Sequence, residues 1–203
     1  MKILVADLEG VFLPEIWINV AQKTGIEELK LTTRDISDYD VLMTKRLSIL
    51  KENNLKIQDI RAVISTLEPL DGAKQMLDWI RDQTQIIILS DTFEEFAKPL
   101  MAKLGFPALL CHNLTIDGAG NITHYNLRID NQKARAVKAL KGLNYNVIAF
   151  GDSYNDIGMI QAADQGFFFC PPPSCETDFP EIPVTRTYDE LKTMIQSLLD
   201  QSC

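Results

Sequence analysis

The chain has 203 residues, of which 46% are hydrophobic and 24% are charged, and its formal net charge is −8 at pH 7. This length allows one sizeable domain, or one domain that carries an insertion. The negative charge argues against nucleic acid or an anionic membrane surface as the main partner. It does not exclude a small anionic substrate, because a bound metal or a few cations reverse the potential locally.

Compartment signals in the sequence are few. No stretch approaches the roughly 20 apolar residues of a membrane span, and the N-terminus leads directly into the first predicted strand, so we expect no signal peptide. The four cysteines lack the tight Cys/His pairing of a zinc site, which favours reduced thiols. We therefore expect a cytoplasmic protein.

The first strand carries the most informative polar residues. An apolar run over residues 3–6 ends at Asp7, and Glu9 and then Gly10 follow. Such a run predicts a strand buried on both faces within a parallel sheet, and ligands of these sheets bind at the carboxyl ends of the strands. Two carboxylates on one side of the chain suggest a nucleophile or metal ligand beside a general acid/base. The alternative is an acidic strand end that simply enters solvent.

Residues 15–68 show helical patterns and no central strand. Apolar spacing predicts helices over 14–25, 38–54 and 57–67, the second of them with Asp38 as N-cap. This block is longer than an ordinary crossover between strands. We interpret residues 15–68 as an inserted helical cap domain, with 1–14 and 69–203 forming the catalytic core.

The remaining residues alternate between strand and helix patterns. Strands are predicted at 85–89, 108–111, 146–150 and 166–170, and a hairpin at 114–129. Asp71 is the predicted N-cap of one helix, and Thr92 with Glu95 has the spacing of a capping box at the start of the next. This alternation predicts an α/β fold with a parallel sheet.

Further polar residues follow the later strands or precede them closely. Ser90 and Asp91 end one strand, Asp152, Asn155 and Asp156 follow another, and Lys133 begins a helix. In a parallel sheet these groups meet at one edge, where clustered carboxylates require a cation. Carboxylate oxygens suit Mg²⁺, and a hydroxyl, a lysine and a helix N-terminus beside it suit a phosphoryl group.

Each of these residues also has a plain structural interpretation. Ser90 can be a helix-entry residue, Lys133 a solvated lysine and Asp152 an N-cap. Asp156 either orients its loop through backbone hydrogen bonds or contacts the metal. The joint placement at successive strand ends favours the functional interpretation.

The motifs resemble a known family. Residues 7–11, Ser90, Lys133 and residues 151–156 are similar, in order, to the four motifs of the haloacid dehalogenase superfamily. The helical block resembles the cap of its phosphoserine phosphatase branch. The general pattern has aspartate where this chain has Glu9. That glutamate, with residues 14–18 and 32–36, is similar to the ThrH-type phosphoserine phosphatases, which also act as phosphoserine:homoserine phosphotransferases.

The resemblance implies roles for nine residues. Asp7 would be the nucleophile that forms an aspartyl phosphate, and Glu9 the acid/base. Mg²⁺ would be held by Asp7, Asp152 and the backbone carbonyl of Glu9. The substrate would be a small phosphorylated amino acid, with water or homoserine as acceptor. The implied substrate-binding residues are Glu15, Arg46, Ser90, Asp91, Lys133 and Asn155.

Three other interpretations stay open. One is a phosphatase of a different small phosphoester, without transfer to homoserine. Another is a receiver-like signalling domain, which also gathers acids, a hydroxyl and a lysine around magnesium, although the helical insertion argues against it. The third is a substrate-binding protein that has lost catalysis, which the presence of Asp7 disfavours.

Overall fold

A computed structural model describes residues 1–32, 35–36 and 38–201. Within these ranges the strands are β1 (Lys2–Ala6), β2 (Gln85–Phe93), β3 (Ala108–Ile116), β4 (Ile122–Asn126), β5 (Asn146–Gly151), β6 (Gln165–Phe169) and β7 (Val184–Thr185). The helices are α1 (Ile16–Thr24), α2 (Tyr39–Glu52), α3 (Ile57–Ser65), α4 (Ala73–Gln83), α5 (Glu94–Met101), α6 (Gln132–Gly142), α7 (Ile157–Ala162), α8 (Pro173–Asp178) and α9 (Tyr188–Asp200). Thr33 and Arg34, which contribute to the resemblance, lie outside the described residues.

The strands form one sheet in the order β4-β3-β2-β1-β5-β6-β7. Every neighbouring pair is parallel except β3 and β4, which form the predicted antiparallel hairpin at the edge. The predicted α/β class with a parallel sheet is confirmed. Because β1 lies between β2 and β5, the carboxyl ends of these three strands are neighbours, and that placement builds the site.

The side chains of β1 alternate between two apolar layers, as expected for a strand buried on both faces. Leu4 and Ala6 belong to the larger cluster, which continues into α1, α3, α4, α5 and α9. Ile3 and Val5 pack on the opposite face with Val137 of α6 and Met159 of α7. Burial of each such aliphatic side chain contributes about 1.5–3 kcal/mol, so β1 is fixed firmly where it delivers Asp7.

The helical segment, residues 15–68, contains α1, α2 and α3 in its described part, and α4 follows it before β2. Asp38 caps α2 as predicted, because its carboxylate accepts hydrogen bonds from the amides of Asp40 and Val41 at 2.9 and 3.1 Å. The segment contacts the rest of the chain at several points; the Ile57 amide, for example, donates to the Gly120 carbonyl at 2.9 Å. The division at residues 14/15 and 68/69 into core and cap stays a prediction.

Two predicted helix caps are wrong. The residue that caps α4 is Gly72, in a left-handed conformation that glycine adopts without steric cost, and not Asp71. The strand β2 continues through Thr92, so α5 begins only at Glu94, and the Glu95 carboxylate accepts from the Leu114 amide at 2.9 Å. The sequence pattern also missed α8 and β7. None of the described helices combines the length and the apolar character that crossing a membrane requires.

Candidate active site

Asp7 and Lys133 lie at the centre of a buried charge cluster beyond the carboxyl end of β1. The Asp7 amide donates to the Phe150 carbonyl at 3.1 Å, which holds the residue against β5. Lys133, in the first turn of α6, places its Nζ 2.9 Å from Asp7 Oδ1 and 3.7 Å from Asp91 Oδ2. Burial lowers the pKa of Lys133, but Asp156, Asp7 and Asp91 outweigh it and raise that pKa well above its usual value. The ammonium therefore stays charged.

Asp156 orients the loop after β5. Its Oδ2 accepts from the amides of Asp152 and Ser153 at 2.9 and 3.1 Å, and its Oδ1 accepts from Lys133 Nζ at 2.7 Å. Both oxygens of the fully buried side chain are thus engaged. Of the two roles expected for Asp156, these contacts favour loop orientation over metal contact.

The acidic cluster fits a hard divalent cation. Carboxylate oxygens of Asp7, Asp152 and Asp156 all lie within 4.8 Å of one another, and all three residues are buried. Burial and the charges of Asp156 and Asp152 raise the pKa of Asp7 well above its usual value, against the lowering effect of Lys133. One ammonium does not balance this many carboxylates. A cation with a preference for oxygen ligands, such as Mg²⁺, suits the donor set.

Gly10 keeps the turn after β1 close to Asp152. Its φ is +77°, and a Cβ at this position would lie 2.3 Å from Asp152 Oδ2. The Gly10 amide donates to the Leu13 carbonyl at 2.7 Å, which closes the turn. Both the left-handed backbone and the close approach require glycine here.

Glu9 connects this turn to the first helix. Its Oε2 accepts from the Ile16 amide at 2.8 Å, so the carboxylate serves one of the unpaired amides at the start of α1. Burial, followed by the charge of Glu15, raises the pKa of Glu9 to about 7, although bonds to Ile16 and Thr92 lower it. The sequence pattern placed Glu9 beside Asp7 but gave no sign of this contact with α1.

Ser90 and Asp91 are held by neighbouring groups near the end of β2. The Ser90 hydroxyl accepts from the Thr92 amide at 3.2 Å. Asp91 accepts from Gln132 Nε2 at 3.0 Å and from Asn155 Nδ2 at 3.2 Å. Burial raises the pKa of Asp91, but Lys133 and these hydrogen bonds outweigh it and lower the pKa below its usual range.

Two buried residues of this network were not predicted. His112 Nδ1 accepts from the Arg128 amide at 3.1 Å, which leaves the proton on Nε2, 3.5 Å from Asp91 Oδ1. Gln132 also donates to the Ser90 carbonyl at 2.5 Å. His112 follows Cys111 in β3 and Gln132 precedes Lys133 in α6, and no local pattern distinguishes either one.

A cavity of about 280 Å³ opens above the cluster. Eight of the nine residues with predicted roles line it, and the ninth, Lys133, contacts Asp7 from outside the lining. The eight are Asp7, Glu9, Glu15, Arg46, Ser90, Asp91, Asp152 and Asn155. Glu15 and Arg46 come from the helical segment, so the cavity has one wall from the sheet and another from α1 and α2.

Arg46 is a buried cation in the second wall. Its side chain belongs to α2 and is 7% exposed, and burial lowers the pKa of its guanidinium to about 10. Among the residues that the structure describes, its Nε has no hydrogen-bond partner. A buried donor without an acceptor is costly, so an acceptor placed at this nitrogen would stabilise the site.

The comparison with known proteins agrees with this geometry. The model of the haloacid dehalogenase-like hydrolase family matches residues 2–164. Phosphoserine phosphatase ThrH of Pseudomonas aeruginosa is 54% identical over 192 residues, which cover 95% of this chain and 94% of that protein. A phosphoserine phosphatase of Pseudomonas syringae pv. tomato is also 54% identical over 192 residues, covering 95% of this chain and 81% of the relative.

A solved structure gives the same result for the fold. The crystal structure of a phosphoserine phosphatase in apo form superposes with a TM-score of 0.77 at 21% sequence identity, covering 95% of this chain and 98% of that one. From the family match and the two close relatives, this chain belongs to the haloacid dehalogenase-like hydrolases.

Proposed function

We propose that this protein is a magnesium-dependent phosphoserine phosphatase that acts through an aspartyl phosphate on Asp7. The observation that carries the proposal is the cavity, which has Asp7 and Asp152 on one wall and Glu15 and Arg46 on the other. The first pair suits a phosphoryl group with its cation, and the second suits the ammonium and carboxylate of an amino acid. The names of the two relatives at 54% identity support the same substrate.

Asp7 is the proposed nucleophile. One of its oxygens attacks phosphorus, a new bond forms to Asp7, and the bond from phosphorus to the serine oxygen breaks. Lys133 and Ser90 are the proposed ligands of the phosphoryl oxygens. The 2.9 Å distance between Lys133 Nζ and Asp7 Oδ1 supports the role of Lys133, and the place of Ser90 in the cavity lining supports its own. Mg²⁺ held by Asp7, Asp152 and the carbonyl of Glu9 would supply positive charge that stabilises those oxygens during transfer.

Glu9 is the proposed acid/base. It gives a proton to the departing serine oxygen, and in the second half-reaction it takes one from the acceptor that attacks the aspartyl phosphate. Two observations support this role: Glu9 lines the same cavity as Asp7, and its buried carboxyl has a pKa raised to about 7. A group with this pKa is populated in both protonation states near neutral pH.

The helical segment is the proposed cap, and it supplies selectivity. Glu15 binds the substrate ammonium and Arg46 binds the carboxylate. Asp91 and Asn155 complete the site from the core side, where their mutual hydrogen bond fixes both. Tyr39 of α2 donates to the Asp91 carbonyl at 3.1 Å, so the segment contacts the strand end that carries Ser90.

Homoserine is the proposed alternative acceptor to water. The basis is the glutamate at position 9 together with the ThrH relative. The longer side chain places its carboxyl further from its own backbone than an aspartate would, and this leaves room for an alcohol larger than water. In a Glu9→Asp variant we expect the ratio of transfer to hydrolysis to fall; an unchanged ratio contradicts this part of the proposal.

The test is phosphate release from L-phosphoserine with Mg²⁺, with homoserine absent and then present, and with Asp7→Asn as the inactive control. We expect release that a chelator abolishes and that homoserine diverts into phosphohomoserine. Release without diversion retains the phosphatase and removes the transferase. No release from L-phosphoserine, with turnover of another small phosphoester, overturns the assigned substrate. A stable phospho-aspartate without turnover supports the receiver-like alternative instead.

A further inference from the structure

The guanidinium of Arg46 lies over the ring of Trp17. Its central carbon is 4.5 Å from the ring centroid, within the range of a cation–π interaction. Arg46 is in α2 and Trp17 is in α1, so this contact joins the two helices that form one wall of the cavity. Both side chains are buried, at 7% and 8% exposure.

The edge of the guanidinium is only partly used. One terminal nitrogen donates to the Leu31 carbonyl at 2.8 Å, and the other lies 3.6 Å from Met43 Sδ. A guanidinium has five N–H donors in a rigid plane. The contact with the ring restricts the tilt of that plane, and the bond to Leu31 restricts its rotation. The remaining donors are therefore held in one orientation before any ligand enters.

Trp17 also contacts the buried core. Its ring meets Phe96 of α5 edge-on, with centroids 5.4 Å apart, and Phe96 is fully buried. This arrangement connects Arg46 to the core through Trp17, which also lines the cavity. Helical spacing alone assigns Trp17 to the apolar face of α1, and it does not predict the contact with Arg46.

We propose that Trp17 is a positioning residue that orients Arg46 toward the substrate carboxylate, and thereby makes the site selective for phosphoesters that carry one. The inference rests on the proposed function and extends it. A pre-oriented planar donor binds a carboxylate through two parallel hydrogen bonds with little loss of side-chain freedom. A leucine at position 17 fills apolar space but has no π face, so the guanidinium plane loses its support.

The test compares two substrates that differ in one group. L-phosphoserine and O-phosphoethanolamine share the phosphate and the ammonium, and only the first has a carboxylate. For Trp17→Leu we expect KM for L-phosphoserine to rise about tenfold with kcat nearly unchanged, and both constants for O-phosphoethanolamine to stay the same. Trp17→Phe, which keeps an aromatic face, should show a smaller increase.

Two controls separate positioning from general damage. Leu77→Ala removes buried packing in α4, which does not line the cavity, and it should lower the melting temperature without separating the two substrates. In an Arg46→Lys background, Trp17→Leu should add no further increase in KM, because a lysine presents no plane to orient. Equal losses on both substrates, no loss on L-phosphoserine, or additive effects in the double variant each overturn the inference.

Failure of the proposed function is recognised separately. If the wild-type enzyme releases no phosphate from L-phosphoserine, the same comparison is made with the best carboxylate-bearing phosphomonoester of a substrate panel and its analogue without the carboxylate. Selective loss on the former in Trp17→Leu supports the inference although the substrate assignment is wrong. A panel in which carboxylate-bearing substrates have no advantage overturns both.

Discussion

Lys133 and Asp156 form a buried ion pair in which Nζ and Oδ1 are 2.7 Å apart, and the second oxygen of Asp156 accepts two backbone amides of the loop that carries Asp152. One carboxylate thus sets the position of the proposed phosphate-binding lysine and of a proposed metal ligand. Asp156 is a positioning residue in this arrangement, and its loss should affect both neighbours.

We expect Asp156→Asn to weaken Mg²⁺ binding and to lower activity about 10–100-fold, the usual effect of removing a group that orients metal ligands. An asparagine has one acceptor oxygen, so it serves either the amides or Lys133. The measurement is phosphate release over a Mg²⁺ titration. Unchanged Mg²⁺ affinity in this variant contradicts the assigned role.

Asp164→Asn is a matched control for that experiment. Asp164 also accepts from a backbone amide, that of Val147, at 2.8 Å, and it pairs with Lys141 at 2.9 Å. Asp164 lies outside the cavity and immediately precedes β6 in the sequence. We expect Asp164→Asn to keep the Mg²⁺ dependence of the wild type. The comparison then shows that the loss in Asp156→Asn comes from the place of Asp156 in the site, and not from the loss of a carboxylate as such.

Glu9 combines a proposed chemical role with a structural one, and two substitutions separate them. In Glu9→Gln the amide oxygen still accepts from Ile16, so we expect little change in unfolding free energy but a loss of about 10²–10⁴ in kcat. Glu9→Ala also removes the acceptor at the start of α1, which should cost a further ~0.5–2 kcal/mol in unfolding by denaturant. Retained activity in Glu9→Gln excludes proton transfer by this residue.

Gly10→Ala and Gly25→Ala share a backbone conformation but differ in surroundings. Their φ angles are +77° and +73°, so each alanine carries a left-handed strain of about 1–2 kcal/mol. Only at Gly10 does the new Cβ meet Asp152; at Gly25 no described residue beyond the two chain neighbours has a heavy atom within 4 Å of it. We expect Gly10→Ala to lose activity and Mg²⁺-dependent thermal stabilisation, and Gly25→Ala to keep both. Equal activities show that Asp152 tolerates displacement.

The strand ends were predictable because the rule behind them is local. Apolar runs that stop at acids predict buried strands, and parallel pairing then brings Asp7, Ser90 and Asp152 to one edge. The secondary structure of the carboxyl-terminal part was harder to predict. The β7 strand forms because the amides of Phe168 and Cys170 donate to the carbonyls of Pro183 and Thr185. The residues within two positions of Val184 have no sequence pattern that predicts this pairing.

The supporting residues of the site could not be predicted either, because their partners are distant in the sequence. Three of them contact partners that are 20 to 42 positions away in the sequence: His112, Gln132 and Trp17. Gln132, for example, donates to the Ser90 carbonyl. Sequence periodicity indicates on which face of an element a residue lies; it assigns Trp17 to packing and does not distinguish His112 or Gln132. Partners across the fold are set by how the helices pack on the sheet, which the local pattern does not contain.

Arg46→Met tests whether this buried cation serves the ligand or the fold. Methionine is shorter than arginine but flexible, and it packs well on an aromatic ring. We therefore expect the unfolding free energy to stay the same or to rise by up to about 2 kcal/mol, because a buried charge with an unpartnered Nε is removed. The KM for L-phosphoserine should rise at least about 30-fold, because the substrate carboxylate loses its partner.

Arg61→Met is the control, at an exposed site of α3 where Nε donates to the Glu95 carbonyl. This substitution should leave the unfolding free energy and the KM nearly unchanged. A large loss of stability in Arg46→Met, measured by denaturant titration, makes the guanidinium a structural group and removes the main support for carboxylate recognition.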